Sequence, residues 1–412
     1  MLKVYLHNDL VGTLEQDDRG QLLFTYISEW LEMGSAIPLS RMLPLQPERF
    51  EGTPVRHFFA GVLPEDEPRR VIASRLGISE GNDFALLEVL GGECAGAVRL
   101  LPEDAPPLPE GNQLKQLTES ELEQIIAGLP RRPLMAGEDG LRLSLAGAQD
   151  KLPVVIKGQT VALPLGNTPS THIIKPEPDR FPGLAANELF CMRLAKAAGL
   201  KVANASMRII GGKACILVER YDRISDQGCV HRLHQEDFCQ ALGFPPERKY
   251  QQEGGPLLKD CIKLLREWST TPVVDIRDFV DALIYNVLIG NADAHGKNFS
   301  MLYHVSQRGL APLYDLVCTA SWPELSKRLA MNIGNAKLIS EVLPDHFRKF
   351  AEDAGLGWPM IRERISALSE RVDEILSNGR FIEDSFDKTV TEKIASFVLE
   401  RVKRMNSTIT GS

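Results

Sequence analysis

The sequence lacks the features that mark membrane proteins, disulfide-rich proteins and zinc sites. No stretch approaches the ~18 consecutive apolar residues that a membrane-spanning helix needs, and the first residues show no signal-peptide pattern. The seven cysteines are scattered, odd in number and without any CxxC pair, which argues against a disulfide framework or a zinc site. We therefore expect a cytoplasmic protein with reduced thiols and no membrane association.

Basic residues are fewer than acidic ones, with 47 Lys and Arg against 55 Asp and Glu. The sequence has no internal repeat or low-complexity segment. The formal net charge is −8, whereas strong nucleic-acid binding depends on Lys and Arg that neutralise phosphates. This argues against strong nucleic-acid binding by the chain alone, although it leaves a local basic patch open.

With 43% hydrophobic and 25% charged residues, the composition is that of a water-soluble globular protein. At 412 residues the chain exceeds one ordinary core, so two or three domains are expected.

The first hundred residues predict a small β-rich domain. The segments LKVYL, LVGTLEQ and QLLFTYI alternate polar and apolar residues, and HND and DDRG between them supply turn residues. Residues 102–112, with four prolines and three acidic residues, predict a linker. Thr118, followed three residues later by Glu121, fits a capping box at the start of a helix. The predicted divisions are residues 1–105 for this domain and 106–140 for the linker and helix.

From residue 141 onward the chain predicts one region rich in strands and one that is mostly helical. The segments LRLSL, LPVVIK and THIIK have the apolar character of strands, a helix is expected at 185–198, and MRIIGG with KACILVE predicts a hairpin. After about Val230 helices dominate, interrupted by one hairpin formed by FSMLYHV and LAPLYD. We therefore expect an α+β fold with a small β-rich lobe at 141–230 and a mainly α-helical lobe at 231–412.

The most informative stretch is YNVLIGNADAHGKNFS, followed further on by LYD. Asp293 and Asn298 have the D-x-x-x-x-N spacing of a kinase catalytic loop. In such a loop one carboxylate accepts the hydroxyl proton of the phosphate acceptor, and a neutral oxygen ligand holds Mg²⁺. We expect the hairpin after Asn298 to bring Asp315 beside it at the end of the return strand, where a carboxylate can hold Mg²⁺ that bridges ATP phosphates. A polar turn is the plainer interpretation of Asp293 alone, but the three groups together favour a protein-kinase-like two-lobe fold.

Three further motifs fit the same chemistry, each with a plainer alternative. The loop SLAGAQDK at 144–151 has small residues that let backbone N–H groups approach phosphate, but it matches neither G-x-G-x-x-G nor Walker A and also fits an ordinary tight hairpin. Lys175 ends the strand THIIK, where it would either extend to solvent or pair with phosphates. Glu188 opens the next helix, with Asn187 as a candidate cap, and could orient Lys175. The backbone of 219–221 could accept an adenine edge, unless VERYDR is only an amphipathic strand with exposed charges.

Taken together, these motifs resemble the HipA toxin kinases of bacterial toxin–antitoxin modules. The resemblance rests on SLAGAQDK, STHIIKPE, NELFCMRLAKAAGL, VERYDR, RLHQEDFCQALG, the KY and GGP of 249–256, and GNADAHGKNFS with LYD. FALLEVLGGECAGAVRLLPED in the first domain is similar to the N-terminal module of that family. The motifs keep their order from near residue 1 to about residue 350, and roughly the last 60 residues match weakly.

The resemblance implies a role for each candidate residue. Asp293 would be the catalytic base, and Asn298 with Asp315 would hold Mg²⁺. Ser144 would be the residue at which the kinase phosphorylates itself, a modification that ejects the phosphate loop in this family, and Glu188 would orient the phosphate-contacting lysine. The residues implied in ATP binding are Ala146, Gly147, Ala148, Gln149, Asp150, Lys151, Lys175, Glu219, Arg220, Tyr221, His295, Gly296, Lys297, Asn298, Tyr314 and Asp315.

The resemblance also implies what the protein acts on and assembles with. Members of the family transfer the γ-phosphate of ATP to a cytosolic aminoacyl-tRNA synthetase, usually the glutamyl enzyme, which inhibits translation and promotes growth arrest and persistence. The family's partner is a small helix-turn-helix antitoxin (HipB-like) dimer that binds operator DNA together with the toxin, so that the pair represses its own operon. We therefore expect a serine/threonine protein kinase toxin that uses ATP and Mg²⁺.

Two other functions stay open at the level of sequence. A small-molecule kinase of the aminoglycoside-phosphotransferase type would share the two lobes and would need an acidic pocket for cationic substrates. Its candidate acids are Glu236, Asp237, Asp278 and Asp281. A DNA-bound corepressor with a vestigial kinase site is the non-enzymatic alternative, although all of the expected catalytic groups are present.

Overall fold

The computed structural model describes residues 1–105, 113–138, 140–226, 228–304 and 306–409, without the side chains of residues 408 and 409. Most of the predicted linker at 102–112 therefore lies outside the described residues. The chain forms two compact units. Unit 1 consists of residues 1–176, 208–247 and 302–306, and unit 2 consists of residues 177–207, 248–301 and 307–412. The predicted divisions at residues 105, 140 and 230 stay a prediction.

The first of the two larger sheets in unit 1 is a five-stranded antiparallel sheet. The predicted strands LKVYL, LVGTLEQ and QLLFTYI are confirmed, and in the first of them Leu2, Val4 and Leu6 point to the buried face, as the two-residue period of a strand requires. In spatial order the strands are Phe50–Glu51, Leu22–Tyr26, Asp9–Gln16, Leu2–Leu6 and Val98–Pro102. The helices of unit 1 are Ser28–Leu31, Thr53–Ala60, Asp66–Leu76, Asp83–Leu90, Glu119–Gly128 and Phe238–Leu242.

The second sheet shares a hydrophobic core with the first. Phe24 and Leu100 of the first sheet and Val154, Ile174 and Leu217 of the second belong to one continuous cluster of buried side chains. The N-terminal strands are therefore part of the same folded unit as the second sheet. In spatial order the six strands of this sheet are Ala205–Ile210, Lys213–Glu219, His172–Pro176, Leu152–Lys157, Thr160–Leu165 and Gln113–Gln116. Shorter strands are Arg223–Asp226, Cys229–Arg232 and His234–Asp237.

Unit 2 is mainly helical. The helix Trp358–Ser377 packs against both Pro272–Ile289 and Lys388–Ile409. Of the described helices, none combines the length and the apolarity that crossing a bilayer requires. The helices are Leu184–Ala197, Leu258–Trp268, Pro272–Ile289, Pro344–Ala354, Trp358–Ser377, Arg380–Glu383 and Lys388–Ile409. The hairpin strands Ser300–His304 and Gln307–Leu310 are followed by the pair Arg328–Ile333 and Ala336–Leu338.

The helix Pro272–Ile289 leads directly into the predicted catalytic loop. Pro272 occupies its first position, where the missing N–H costs no helical hydrogen bond. Gly290 ends the helix in the left-handed conformation with φ 72°, the usual role of glycine after a helix. A Cβ at position 290 would lie 2.4 Å from the ring of Phe397, so packing also requires glycine here. The chain therefore leaves the helix in a fixed direction.

Two predicted strands differ from the structure. LRLSL is not a strand, because only Leu143 pairs, in an isolated parallel bridge with Glu93, and one such bridge is too short to propagate a ladder. The return strand of the predicted hairpin ends at Leu310. Asp315 is therefore not a strand-end residue and lies in irregular backbone. The capping box at Thr118 and Glu121 is confirmed.

A buried carboxyl group connects three segments of unit 1. Glu236 is fully buried. Its Oε2 accepts a hydrogen bond from Ser40 Oγ at 2.6 Å, and its Oε1 accepts from the Arg41 backbone N–H at 3.0 Å and from the Tyr303 hydroxyl. Burial raises the pKa of Glu236 to about 7, although these hydrogen bonds lower it in part. The folded state therefore holds a proton that the unfolded chain releases at lower pH.

This difference predicts a pH-dependent effect of Glu236→Gln. When folding raises the pKa of a carboxyl group, the free energy of unfolding falls as the pH rises from the unfolded-state pKa to the folded-state pKa. Above the folded-state pKa this loss of stability is complete. The amide does not titrate, so the variant should gain stability relative to the wild type between about pH 5 and pH 8, by roughly 3 kcal/mol at the upper end. Urea unfolding at both pH values measures the gain. Glu80→Gln, an exposed control in unit 1, should show none, and an equal gain at both pH values would contradict the prediction.

Candidate active site

Buried asparagine side chains hold the loop that carries Asp293. Asn291 Nδ2 donates to Asn286 Oδ1 in the last turn of the preceding helix at 2.8 Å, and Asn291 Oδ1 accepts from the Asp293 backbone N–H at 3.0 Å. Asn286 and Asn291 are both buried. The backbone N–H of His295 then donates to Asp293 O at 2.8 Å. The carboxylate of Asp293 therefore extends from irregular backbone whose position is fixed.

Asn298 has a buried oxygen that accepts no hydrogen bond. The residue ends the short 3₁₀ turn Gly296–Asn298, and its backbone N–H donates to His295 O at 2.9 Å. Among the described residues, no donor reaches its side-chain Oδ1. A buried acceptor left unpaired costs about 1–3 kcal/mol, and a bound cation would remove that cost. Asn298 thus has the property expected of a metal ligand.

The segment that carries Asp315 lies beside this turn. The Tyr314 hydroxyl donates to Lys297 O at 2.7 Å and lies 2.8 Å from Ser300 Oγ. These contacts bring Lys297 and Tyr314, the neighbours of Asn298 and Asp315, together. No strand carries Asp315, and the predicted approach of the Asn298 and Asp315 side chains stays a prediction. Its φ of 52° is a left-handed value that costs a non-glycine residue about 1–3 kcal/mol. Such a conformation persists only where the surrounding structure enforces it.

Contacts on both sides enforce the conformation at Asp315. Asn187 Nδ2 donates to Cys318 O at 3.2 Å, and Asn187 Oδ1 accepts from the Cys318 backbone N–H at 2.8 Å. Before Asp315, the backbone of Leu313 pairs with that of Lys201 and Ala203. Asn187 is fully buried inside the helix Leu184–Ala197. It is therefore not the helix cap that the sequence suggested, because Gly183 occupies that position.

The residues present fit a Mg²⁺ ion. No three His, Cys, Asp or Glu side chains form a metal-binding cluster within the described ranges. Mg²⁺ needs no such cluster, because it binds through one or two protein oxygens together with water and phosphate oxygens. The amide of Asn298 and the carboxylate of Asp315 are such a set. Their role as ligands stays a prediction.

The loop at 144–151 belongs to unit 1 and is folded into the protein. Ser144 is fully buried, and its hydroxyl donates to Val62 O at 2.8 Å. Lys151 Nζ donates to Ala146 O at 2.8 Å and so closes the loop on itself. Gly147 has φ 106°, and a Cβ there would lie 2.6 Å from Lys151 Nζ. The loop therefore requires glycine for its backbone conformation and for the approach of this lysine.

Charged groups in and near the loop are shielded from water. Burial raises the pKa of Asp150, while Lys151 and Lys213 lower it in part. Lys175, in the strand His172–Pro176, is 7% exposed, so it does not extend to solvent as the plainer interpretation required. Glu188 is buried in unit 2, whereas Lys175 belongs to unit 1. The predicted pairing of these two residues stays a prediction.

Apart from the exposed Glu219, the charged side chains of VERYDR are buried in an ion cluster centred on Glu93. The guanidinium groups of Arg220, Arg223 and Arg232 donate to the Glu93 carboxylate at 3.2, 2.7 and 2.5 Å. Burial alone would raise the pKa of Glu93, but the three arginines outweigh it and hold that pKa well below its usual range. The alternative of exposed charges is therefore wrong for Arg220, Asp222 and Arg223, whereas Glu219 at the end of the strand is exposed. The Arg220 side chain serves this cluster, and the adenine contact of 219–221 stays a prediction.

Three residues that matter for the site had no strong signal in the sequence. The backbone of Glu93 pairs with Arg142 O at 2.8 Å and the Ser144 N–H at 2.9 Å, so Glu93 holds both the 220–223 segment and the start of the loop at 144–151. Asn187 supports the Asp315 segment. The Tyr250 hydroxyl donates to Asp293 Oδ1 at 2.8 Å. The signal for Glu93 and Asn187 was only that each is a polar residue within an apolar stretch, GGECAG and ANELF respectively.

The acids proposed for a cationic substrate pocket are engaged elsewhere. Glu236 has three hydrogen bonds, and Asp237 forms the capping box of the helix Phe238–Leu242. Asp278 pairs with Lys201 at 2.9 Å, and Asp281 pairs with Arg364 at 2.7 Å. These contacts give no support to a small-molecule kinase of the aminoglycoside type.

The catalytic-loop geometry and the β-rich and helical elements define a protein-kinase-like α+β fold. Comparison with known proteins agrees. The HipA N-terminal domain model matches residues 2–101, and the HipA-like C-terminal domain model matches residues 143–376. The chain is similar to the serine/threonine-protein kinase toxin HipA of Shewanella oneidensis, with 30% identity over 416 residues, covering 98% of this chain and 94% of that protein. It is 48% identical over 392 residues to Y4mE of Sinorhizobium fredii, a proposed kinase, covering 94% and 93% of the two chains.

A solved structure shows the same fold over the full length. It is the complex of Shewanella oneidensis HipA with HipB and its operator DNA, and it matches this chain with a TM-score of 0.88 and 29% identity. The match covers 100% of this chain and 99% of the HipA chain. The predicted fold class is confirmed. The chain belongs to the HipA family.

Removing the Asn187 side chain should destabilise the fold. In Asn187→Ala the buried N–H of Cys318 loses its partner, at a cost of about 1–3 kcal/mol, and the C=O of Cys318 keeps its hydrogen bond from the Ser321 N–H but loses the one from Asn187, worth about 0.5–1.5 kcal/mol. We expect a loss of roughly 2–4 kcal/mol in urea unfolding followed by circular dichroism. Asn204→Ala, at an exposed position of the same unit, should change stability by no more than about 0.5 kcal/mol. Equal effects of the two variants would show that Cys318 finds other partners.

Proposed function

We propose that this chain is an ATP-dependent serine/threonine protein kinase and the toxin of a bacterial toxin–antitoxin pair. The observation that carries the proposal is the buried, unpaired Oδ1 of Asn298, in the same loop as Asp293 and tied to the Asp315 segment through Tyr314. In a purely structural turn, a buried oxygen of this kind is almost always hydrogen-bonded. Membership of the HipA family, with relatives named as kinases, supports the same activity.

The residues of unit 2 carry the chemical step in this proposal. Asp293 accepts the proton of the acceptor hydroxyl as the hydroxyl oxygen attacks the γ-phosphorus of ATP, and the bond to the β–γ bridging oxygen breaks so that ADP leaves. Asn298 and Asp315 hold Mg²⁺, which when bound neutralises charge on the β- and γ-phosphates. The hydrogen bond from the Tyr314 hydroxyl to Lys297 O holds together the two segments that carry Asn298 and Asp315. His295, Gly296, Lys297 and Tyr314 contact the nucleotide from the same loop and its neighbouring segment.

The residues of unit 1 hold the nucleotide in this proposal. Backbone N–H groups of 146–150 and the ammonium groups of Lys151 and Lys175 complement the negative triphosphate, with Glu188 orienting Lys175. The backbone of 219–221 accepts the adenine edge. The Glu93 cluster supports this arrangement, because one residue holds both the 220–223 segment and the start of the phosphate loop.

Self-phosphorylation of Ser144 regulates the kinase in this proposal. The Ser144 hydroxyl is buried and bonded to Val62 O, so it accepts phosphate only after the loop has left its position. The added phosphate carries about −1.5 to −2 charges at neutral pH. A group of that size and charge cannot return to a fully buried site. The loop would then stay displaced, and ATP binding would be lost.

The acceptor and the partners follow from the family. The acceptor is a cytosolic aminoacyl-tRNA synthetase, with the glutamyl enzyme as the first candidate, and its phosphorylation inhibits translation and promotes growth arrest and persistence. The partner is a HipB-like helix-turn-helix dimer, in keeping with the HipA, HipB and operator DNA complex that this chain resembles. The net charge of −8 fits a chain that reaches operator DNA through its antitoxin and co-represses the operon in that way.

The assignment of Asp293 is tested by Asp293→Asn. The amide cannot accept a proton, so transfer of label from radioactive ATP to protein in a cell extract should fall by at least ~10²-fold. MgATP should still raise the Tm of the variant, because bound ligand adds RT ln(1 + [L]/Kd) to stability. Asp353→Asn, on an exposed helix position, is the matched control with full activity.

Three outcomes would contradict this proposal in different ways. Full transfer by Asp293→Asn would remove Asp293 from its role as base. Label in a low-mass product rather than a protein band would favour the small-molecule kinase. No Tm shift of the wild type at millimolar MgATP would favour a vestigial site.

Self-phosphorylation predicts a defined mass change. After incubation with MgATP, the intact chain should gain the mass of one phosphate, and Ser144→Ala should abolish that gain because it removes the acceptor oxygen. Ser79→Ala, at an exposed position of unit 1, should behave as the wild type. A phosphate retained in Ser144→Ala would place the modification at another residue.

A further inference from the structure

The loop at 248–255 brings a tyrosine hydroxyl onto the proposed base. Tyr250 Oη donates to Asp293 Oδ1 at 2.8 Å, and the Tyr250 ring lies edge-to-face against His295 with centroids 5.3 Å apart. Both partners belong to the same compact unit as Tyr250. The hydrogen bond joins two segments that are 43 residues apart in the chain, so the tertiary fold and not the local sequence creates it.

The backbone around Tyr250 is built to hold this position. Gly254 has φ 83°, and the backbone N–H groups of Glu253 and Gly255 both donate to Tyr250 O, at 3.0 and 2.9 Å. A Cβ at Gly255 would lie 2.2 Å from Arg248 O, so the turn closes only with glycine there. The turn therefore fixes the backbone from which the tyrosine extends.

A second contact anchors the loop to the rest of unit 2. Gln251 Oε1 accepts from the Asn332 backbone N–H at 2.7 Å, in the strand Arg328–Ile333. The ring of Tyr250 is only partly buried. A ring that merely filled space would need no hydroxyl, and phenylalanine would pack against His295 equally well. The hydroxyl donates a hydrogen bond to Asp293, so the contact positions the carboxylate and does more than pack the ring.

The geometry points to Tyr250 as a positioning residue for Asp293, which orients the carboxylate and favours its ionised form. This inference rests on the proposed role of Asp293 as the base. A carboxylate on a loop can rotate about its side-chain torsions, and a donor on one oxygen restricts that rotation. A hydrogen bond to the charged form also favours it over the carboxylic acid. Both effects keep the base ready to accept a proton from the acceptor hydroxyl.

The opposite role makes opposite predictions. A serine or threonine of the protein substrate would present its hydroxyl to Asp293 in the same way as Tyr250 does. Tyr250 could therefore occupy the position of the phosphate-accepting residue and block it. Removal of the hydroxyl would then speed transfer. The positioning role predicts slower transfer, because the base loses its orientation and part of its ionisation at low pH.

The test is Tyr250→Phe in the full-length chain, with ADP formation from MgATP and phosphate gain by intact mass as readouts. We expect kcat to fall about tenfold, in keeping with a hydrogen bond to a charged group, while KM for MgATP stays within about twofold. The acidic limb of the pH–rate profile should move to higher pH, so the defect should be largest at low pH. Tyr5→Phe, which also keeps its ring, is the control and should match the wild type.

Each result separates the inference from the function on which it rests. A wild-type chain with no ADP formation and no phosphate gain would overturn both. An active wild type with a kcat and pH profile unchanged in Tyr250→Phe would overturn the positioning role alone, and a faster variant would replace it with blocking. If Tyr250→Phe fails to fold, Gln251→Ala, which releases the loop from Asn332, should lower kcat in the same direction. An unchanged kcat there would also overturn the inference.

Discussion

Glu93 carries a negative charge in the interior of unit 1, where the guanidinium groups of Arg220, Arg223 and Arg232 compensate it. Removing one partner from such a cluster leaves a buried charge unpaired and costs several kcal/mol. The same residue pairs its backbone with Arg142 and Ser144. The carboxylate of Glu93 therefore holds the VERYDR segment, and its backbone holds the start of the phosphate loop. This interaction makes the N-terminal domain a structural part of the proposed nucleotide site.

In unit 2, the neutral side-chain amides of buried asparagines hold the backbone of the site in place. Asn291 fixes the backbone before Asp293, and Asn187 fixes the backbone after Asp315. Irregular backbone has no ladder of its own to satisfy its polar groups, so buried side chains must do so. The strain at Asp315 is held by these contacts. Against this background, the side-chain oxygen of Asn298 is buried and accepts no hydrogen bond among the described residues, which supports the metal-binding role proposed for it.

Much of the fold was predictable from local pattern. Alternation identified the N-terminal strands, helical spacing identified Leu184–Ala197 to within one residue, and Thr118 with Glu121 formed the expected capping box. LRLSL was misassigned because its apolar alternation reflects burial against other segments and not pairing in a sheet. Asp315 was expected at the end of a strand, but hydrogen bonds from Tyr314 place it, and those depend on residues distant in sequence.

For the site, the spacing of Asp293 and Asn298 in the sequence was enough to predict a catalytic loop, because loop chemistry of this kind is local. The motifs along the chain were also enough to recognise the HipA family. Only the tertiary structure decided that Arg220 is buried beside Glu93, that Asn187 supports the Asp315 segment, and that Tyr250 bonds to Asp293. The physical reason is that a hydrogen bond or ion pair between distant segments depends on where the folded backbone places them. A single sequence records which side chains are available, and the fold determines which of them meet.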